Sequence, residues 1–396
     1  MVRNLSSAPP FAPWPHFEAD EIEAAVRVLQ SGKVNYWTGE EGRWFEREFA
    51  QYVGTKHAVA LHNGTVALEL ALYAMGVGEG DEVITTPRTF IASASAAVMR
   101  GARPVFADVD RDSGLITPES IAKVITPRTK AIVVVHLAGW PADMDGIMAL
   151  AQKYNLWVIE DCAQAHGARY KGRSVGSIGH AGAWSFCQDK ILTTGGEGGM
   201  LTLNDDALWE RAWSFKDHGK SYDAVYHRQH PPGYRWLHED FGTNWRMLEV
   251  QAAIGRVVLR KLDGWVEKRR ENAHYLSERF RQIPALRVPE VPDGLYHAYY
   301  KYYVYVRPEM LKPGWNRDRI MLAISEAGIP CSTGSCSEVY LEKAFTRRGW
   351  QPAERLPVAK ELGETALMFL VHPTLDLKHM RAAADVVEKV MEEATR

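Results

Sequence analysis

The sequence predicts an α/β protein, a mostly parallel sheet interleaved with helices and followed by a smaller C-terminal α+β body. Three observations carry this. Short apolar runs alternate with helical stretches between residues 58 and 203. The run Leu156-Trp-Val-Ile-Glu-Asp161 is apolar until two carboxylates end it, which is the pattern of a strand buried on both faces. Beyond residue 255 the pattern becomes a long charged helix and then a β-rich segment.

In order, an arm with Pro9, Pro10, Pro13 and Pro15 leads into a helical pattern over Phe17–Leu29. Seven strands are expected at Ala58–Leu61, Glu82–Thr85, Pro104–Asp108, Ala131–His136, Trp157–Glu160, Ala183–Cys187 and Met200–Leu203. Helices at Thr65–Met75, Ala92–Arg100 and Met144–Lys153 lie between them, and such alternation builds a mostly parallel sheet. The polar segment Lys216–Thr243 is long for a plain connector, and such long loops are usually functional or disordered. A helical pattern from Met247 to Ile283 follows, then the strongly β Ala298–Val306 and helical patterns at Arg317–Ala327 and Leu375–Glu393. The expected division is an arm and helix over 1–40, a large body over 41–255, and a connecting helix with a small body over 256–396.

The 396 residues are 46% hydrophobic and 24% charged, ordinary values for a globular protein with a sizeable core. A formal net charge of -2 gives no electrostatic reason to expect nucleic acid or an anionic membrane as partner. No apolar run approaches the roughly 20 residues of a membrane span. Met1–Pro10 lacks the apolar core of a signal peptide, so the cytoplasm is the expected location. Cys162, Cys187, Cys331 and Cys336 are too scattered for a disulfide framework and lack zinc-site spacing. His227, His230 and His238 sit among Pro231, Pro232 and Gly233, which reads as a loop and not as a metal site. No metal is expected.

Chemistry concentrates in Ala183-Trp-Ser-Phe-Cys-Gln-Asp-Lys-Ile-Leu-Thr-Thr-Gly-Gly-Glu-Gly-Gly199. This is an apolar strand that breaks off, presents Lys190 and turns through glycines. Walls of Trp184 and Phe186 would desolvate the amine, favouring the neutral form that attacks a carbonyl. Ser185 offers a hydroxyl for a phosphate, so a phosphorylated aldehyde, pyridoxal phosphate, fits. Asp161 emerges beyond the carboxyl end of its strand, where such sheets bind ligands. An aspartate there can hold a pyridinium nitrogen protonated; it can equally cap a helix at Cys162–Ala165. Asn63-Gly64-Thr65 runs from a strand into a helix, a backbone anion site.

These segments, taken with Thr89-Phe90, Glu160-Asp-Cys-Ala-Gln-Ala-His-Gly-Ala168 and Asn244-Trp-Arg-Met247, resemble the DegT/DnrJ/EryC1/StrS family between about Gly39 and Gly255. Those are fold-type-I pyridoxal-phosphate enzymes, mostly aminotransferases acting on nucleotide-linked keto-sugars. The resemblance implies that Lys190 forms the Schiff base and shuttles the proton, with Asp161 on the ring nitrogen and Gln164 near the ring hydroxyl. It places Phe90 on the ring face and Gly64, Thr65 and Ser185 on the phosphate. Asn244 would reach the phosphate of a neighbouring subunit, which implies a homodimer with shared sites. Glutamate is the implied donor and a keto-sugar nucleotide the acceptor. His166 reads as a buried, satisfied histidine.

One branch of the family carries histidine at the lysine position and dehydrates its substrate, so Lys190 favours amino transfer. A dehydratase making an amino-substituted aromatic acid, or a non-catalytic regulatory homologue, are the alternatives. On the substrate side stand Thr38, Gly39 and Arg88. The chain departs from the family pattern at Glu40-Glu41-Gly42, Arg88, Gly334–Tyr340 and His372-Pro373, which puts the acceptor in doubt. Arg88 would either grip a substrate anion or lie on the surface.

Overall fold

The computed structural model describes residues 10–395. Pro9 and the residues before it, read above for a signal peptide, lie outside them. In chain order the first elements are α1 (Ala19–Ser31), α2 (Glu41–Val53), β1 (His57–Leu61), α3 (Gly64–Ala74), β2 (Glu82–Thr85), α4 (Ala92–Met99) and β3 (Arg103–Phe106). Next come α5 (Pro118–Ala122), β4 (Thr129–Val135), α6 (Met144–Tyr154), β5 (Trp157–Asp161), β6 (Arg169–Tyr170), β7 (Arg173–Ser174), β8 (Ala181–Ser185) and β9 (Gly199–Leu203). Then α7 (Asp206–Lys216) and α8 (Tyr222–Tyr226) lead to the long α9 (Glu249–Phe280). The remainder is β10 (Leu286–Arg287), β11 (Leu295–Tyr296), β12 (Tyr302–Val306), α10 (Arg317–Glu326), β13 (Cys331–Ser332), α11 (Lys343–Thr346), α12 (Pro357–Thr365), β14 (Ala366–Phe369) and α13 (Leu377–Ala394).

The principal sheet has seven strands in the order β1-β9-β8-β5-β4-β2-β3. Pairings from β8 through β3 are parallel, and only β9 runs against its neighbours. This is the α/β class the alternation predicts, and each expected strand is found with its ends shifted by two residues or fewer. Every residue of β2, β8 and β9 is buried, so both faces of the sheet are covered. On one face Trp184 and Phe186 pack with Phe45 and Phe49. On the other, Leu68, Ala71 and Leu72 of α3 cover Leu201 and Ala183.

Helix α9 buries one side along its whole length, from Ala252 to Phe280, and the division placed between residues 255 and 256 falls inside it. One continuous helix thus serves both bodies. The second sheet, β10-β12-β14-β13, is antiparallel and packs against α13, with Leu367, Phe369, Val387 and Phe280 in its core. A small third sheet joins β11, β6 and β7.

The β-rich run Ala298–Val306 forms a strand only from Tyr302. The preceding residues pair elsewhere: the Ala298 amide donates to Gly139 O and the Tyr300 amide to Ala138 O. Tyr299 adopts a left-handed φ of 47°, which ends the extended run. Local β propensity loses here to hydrogen bonding with the loop after β4.

At this junction His297 is buried, accepts from the Tyr299 amide at Nδ1 (2.9 Å) and stacks on the Tyr299 ring. Burial, reinforced by the Arg270 charge, pushes its pKa down to about 3. Burial lowers His166 and His372 to about 3 as well. Each is neutral in the fold and titrates near 6.5 when unfolded, so the stability it supports is whole above that value and drains away as pH falls toward 3. The expected slope for one such group between pH 6 and 5 is about 1.4 kcal/mol per pH unit. Urea unfolding of His297→Asn at those two pH values should show a pH dependence weaker by that amount. An unchanged slope would mean that His297 is protonated in the fold.

Candidate active site

The site gathers at the carboxyl edge of the large sheet, where parallel strands leave their ligands room. Asp161, the last residue of β5, is 5% exposed. Ser93 Oγ of α4 donates to its Oδ2 at 2.7 Å, and the Ala163 amide to its Oδ1 at 3.1 Å. No helix follows it, so the capping role allowed by the sequence is absent; the carboxylate instead closes a turn. Burial raises its pKa, a shift that those two hydrogen bonds and the charges of Lys190 and His136 counter. Among the described residues no cationic side chain forms an ion pair with it.

Asn63 caps α3, its Oδ1 accepting from the Val66 amide at 3.0 Å, a contact worth about 1 kcal/mol to a helix. The Ala67 amide turns back to Asn63 O. The Gly64 and Thr65 amides find no acceptor among the described residues, and the Thr65 side chain is exposed. A Cβ on Gly64 would lie 2.5 Å from Ser185 Cβ, and one on Gly199 would lie 2.4 Å from the Asn63 carbonyl. Both glycines are therefore required for β8 and β9 to approach the start of α3. The result is a cradle of two free amides with the Ser185 and Thr65 hydroxyls beside it, the geometry of an anion site.

Lys190 lies on the turn after β8, with its side chain 16% exposed. Its amine is 3.8 Å from Asp189 Oδ1 and 5.0 Å from the centroid of the Tyr300 ring. The expected wall of Trp184 and Phe186 is absent: both rings face the α2 and α9 side of the sheet, where they pack against His166, Phe45 and Phe49. Strand alternation explains this, since Trp184 and Ser185 must point to opposite faces. Tyr300, from a segment remote in sequence, supplies the aromatic surface instead. Sequence order held no signal for it.

Phe90 sits on the turn entering α4, and its ring is 67% exposed. It is tied to Asp161 through Thr89, whose hydroxyl meets Ser93 Oγ at 2.8 Å. Gln164 is buried and accepts from the Ala138 amide through Oε1 at 2.9 Å, which leaves its NH2 group as a donor. Ser93 and Ala138 were not legible as site residues, because a serine in an alanine-rich helix carries no motif.

Asn244 is exposed and lies beside the end of β1, where the His62 amide donates to Trp245 O. Thr38 is also exposed, and its hydroxyl donates to Asn35 O. Gly39 is buried over Glu249, which a Cβ would strike at 2.2 Å, so its smallness has a packing reason. Arg88 is not a surface arginine: it is fully buried, donates from Nη1 to Ser337 Oγ (3.0 Å) and lies against the Tyr303 ring.

His166 is buried as expected but not satisfied, for neither ring nitrogen has a hydrogen-bond partner among the described residues. His136, Glu160 and Cys162 cluster beneath Asp161. The His136 ring is committed, accepting from the Ala142 amide at Nδ1 and meeting Glu160 Oε2 at 2.9 Å. Glu160 also accepts from the amides of Gly176, Ile178 and Gly179, so the cluster is an internal brace beneath the site.

Two of these features fit pyridoxal phosphate on physical grounds. A buried carboxylate without a cationic partner suits a protonated ring nitrogen, and two free helix-start amides suit a phosphate.

Residues 15–391 match the model of the DegT/DnrJ/EryC1/StrS aminotransferase family. The aminotransferase from Psychrobacter cryohalolentis, known by X-ray structure, superposes with a TM-score of 0.96 at 59% identity, over 97% of this chain and 99% of that one. The spore coat polysaccharide biosynthesis protein SpsC of Bacillus subtilis is 41% identical over 82% of each chain. The dTDP-3-amino-3,4,6-trideoxy-alpha-D-glucose transaminase of Streptomyces venezuelae is 36% identical over 96% of this chain and 94% of its own. The chain belongs to the DegT/DnrJ/EryC1/StrS family and is a pyridoxal-phosphate-dependent aminotransferase.

Proposed function

We propose that this enzyme moves an amino group from glutamate to a keto-sugar nucleotide, working as a homodimer with shared sites in the cytoplasm. The observation that carries the reading is the convergence of Lys190, Asp161 and the Gly64–Thr65–Ser185 cradle at one sheet edge. The transaminase from Streptomyces venezuelae, named for a nucleotide-linked amino sugar, supports the acceptor class. Four free cysteines support a reducing compartment. Among the described residues no helix is long and apolar enough to cross a membrane.

Bound in the site, pyridoxal phosphate supplies an electron sink conjugated to the reacting carbon. The protein's part is to hold and orient. Gly64, Thr65 and Ser185 would hold the phosphate, and Asn244 would reach the partner's site. Asp161 would hold the proton on the ring nitrogen, Phe90 would pack on the ring, and the Gln164 amide would donate to the ring oxygen. Lys190 would be the attachment point, and its amine would move the proton to and from the substrate carbon. Exposed Tyr234 and Trp236, with ring centroids 5.1 Å apart, present aromatic area of the kind a second subunit covers.

Incubating the holoenzyme with glutamate and a panel of keto-sugar nucleotides, with products read by mass spectrometry, tests the reading. Conversion of one ketone to an amine with one equivalent of 2-oxoglutarate is expected. Loss of water without amination, across the panel or on an amino-aromatic precursor, would assign the site to dehydration instead.

A further inference from the structure

The turn that carries Lys190 is gripped from two sides by residues far from it in sequence. From the N-terminal arm, Trp14 Nε1 donates to the Lys190 carbonyl at 2.9 Å. From the segment leading into β12, the Tyr300 hydroxyl donates to Asp189 Oδ2. That leaves Asp189 Oδ1 facing the Lys190 amine at 3.8 Å, while the Tyr300 ring lies 5.0 Å from the same amine.

The two grips share one support. Arg269 of α9 is 1% exposed, donates from Nη1 to Tyr300 O at 3.3 Å and lies 5.1 Å over the Trp14 ring. Trp14 also packs edge-on against Trp265 and stacks with His372. The Lys301 amine lies 4.7 Å from the Tyr300 ring centroid, so a second cation adjoins the same aromatic surface. The charged and titratable groups around the lysine are thus Asp189, Cys187, Tyr300, Lys301 and Arg269, with Asp161 and His166 on the sheet side.

We propose that Tyr300 is a positioning residue for Lys190, acting through Asp189, and that Trp14 completes the clamp from the N-terminal arm. The inference rests on Lys190 being the attachment point. Asp189 alone is half exposed and would sample many rotamers; the phenol fixes one oxygen and so fixes the other beside the amine. An exposed carboxylate gains little from an ion pair, because ordering costs side-chain entropy. A hydrogen bond from a buried phenol removes that cost in advance.

The test uses apoprotein and pyridoxal phosphate with cyanoborohydride, following the rate at which Lys190 is labelled by peptide mapping. Tyr300→Phe removes only the hydroxyl, and Asp189→Asn changes a half-exposed side chain, so neither should lower the thermal midpoint. Compared at equal fractions of neutral amine, taken from the pH profile of each protein, each is expected to slow labelling by about ten-fold, the scale of one lost hydrogen bond to a charged group. Because they act through one bond, Tyr300→Phe with Asp189→Asn should be no slower than Asp189→Asn alone. In turnover, kcat should fall with the acceptor KM unchanged.

Wild-type labelling rates in both single variants, or losses that multiply in the double variant, would overturn the clamp. Failure of the wild-type protein to be labelled at Lys190 would instead overturn the attachment reading on which it rests.

Discussion

Lys190→Ala is expected to abolish turnover and the visible absorbance that pyridoxal phosphate acquires when joined to a protein amine. The loss should be complete, because this side chain both holds the cofactor and moves the proton at the substrate carbon. Folding should be untouched: among the described residues the amine makes no hydrogen bond, and the loop is held through the Lys190 carbonyl by Trp14. The same variant tests the shared site. Asn244→Asp would place a carboxylate against a phosphate and disable the site that Asn244 serves. If that site belongs to the partner, a Lys190→Ala and Asn244→Asp heterodimer keeps one intact site. Subunit exchange would then restore about a quarter of wild-type activity. No recovery, with exchange verified by native mass spectrometry, would place Asn244 in its own subunit's site. A Lys190→Ala protein with normal turnover would remove the whole functional reading.

The parallel sheet and its strands were legible because their signal is local. Each strand is an apolar run ended by a turn, and each helix between strands has its own period. Asp161, Asn63-Gly64-Thr65 and Lys190 could be placed for the same reason, since the first two stand at or just beyond the end of a strand and the third on the turn that follows one. What escaped came from contacts between distant segments. Tyr300, Trp14 and Ser93 carry no motif, and their roles follow from where α4, α9 and the arm pack. Trp184 and Phe186 misled because adjacency in sequence is not adjacency in a strand. Arg88 was half legible: the folded chain buries it beside Ser337 and Tyr303, which removes the surface reading, while its Nε and Nη2 stay without partners among the described residues. A resemblance carried the remaining roles.

Asp161→Asn should reduce kcat by about a thousand-fold while leaving the fold intact. The carboxylate is buried, and that burial raises its pKa against the pull of Ser93, Ala163, Lys190 and His136. The sign of the linkage follows from that direction. A carboxyl whose folded pKa lies above its unfolded value favours the fold at low pH and loses that contribution as pH rises through the folded value. Burial thus disfavours the charged form in the apoprotein, a cost that a neutral amide does not carry. The asparagine keeps an oxygen for the Ala163 amide and presents its NH2 to the Ser93 hydroxyl, which can accept after turning toward Thr89. Unfolding of the apoprotein should thus occur at the wild-type temperature or slightly above it. Function behaves oppositely, because an amide cannot hold a ring nitrogen protonated, and an oriented charge in a buried site is worth two to three orders of magnitude in rate, about 10²–10³. Stopped-flow rates with glutamate, measured beside the melting curves, separate the two effects. Wild-type rates would deny the carboxylate its electrostatic role. A lowered melting temperature would show that the charge supports the fold rather than the chemistry.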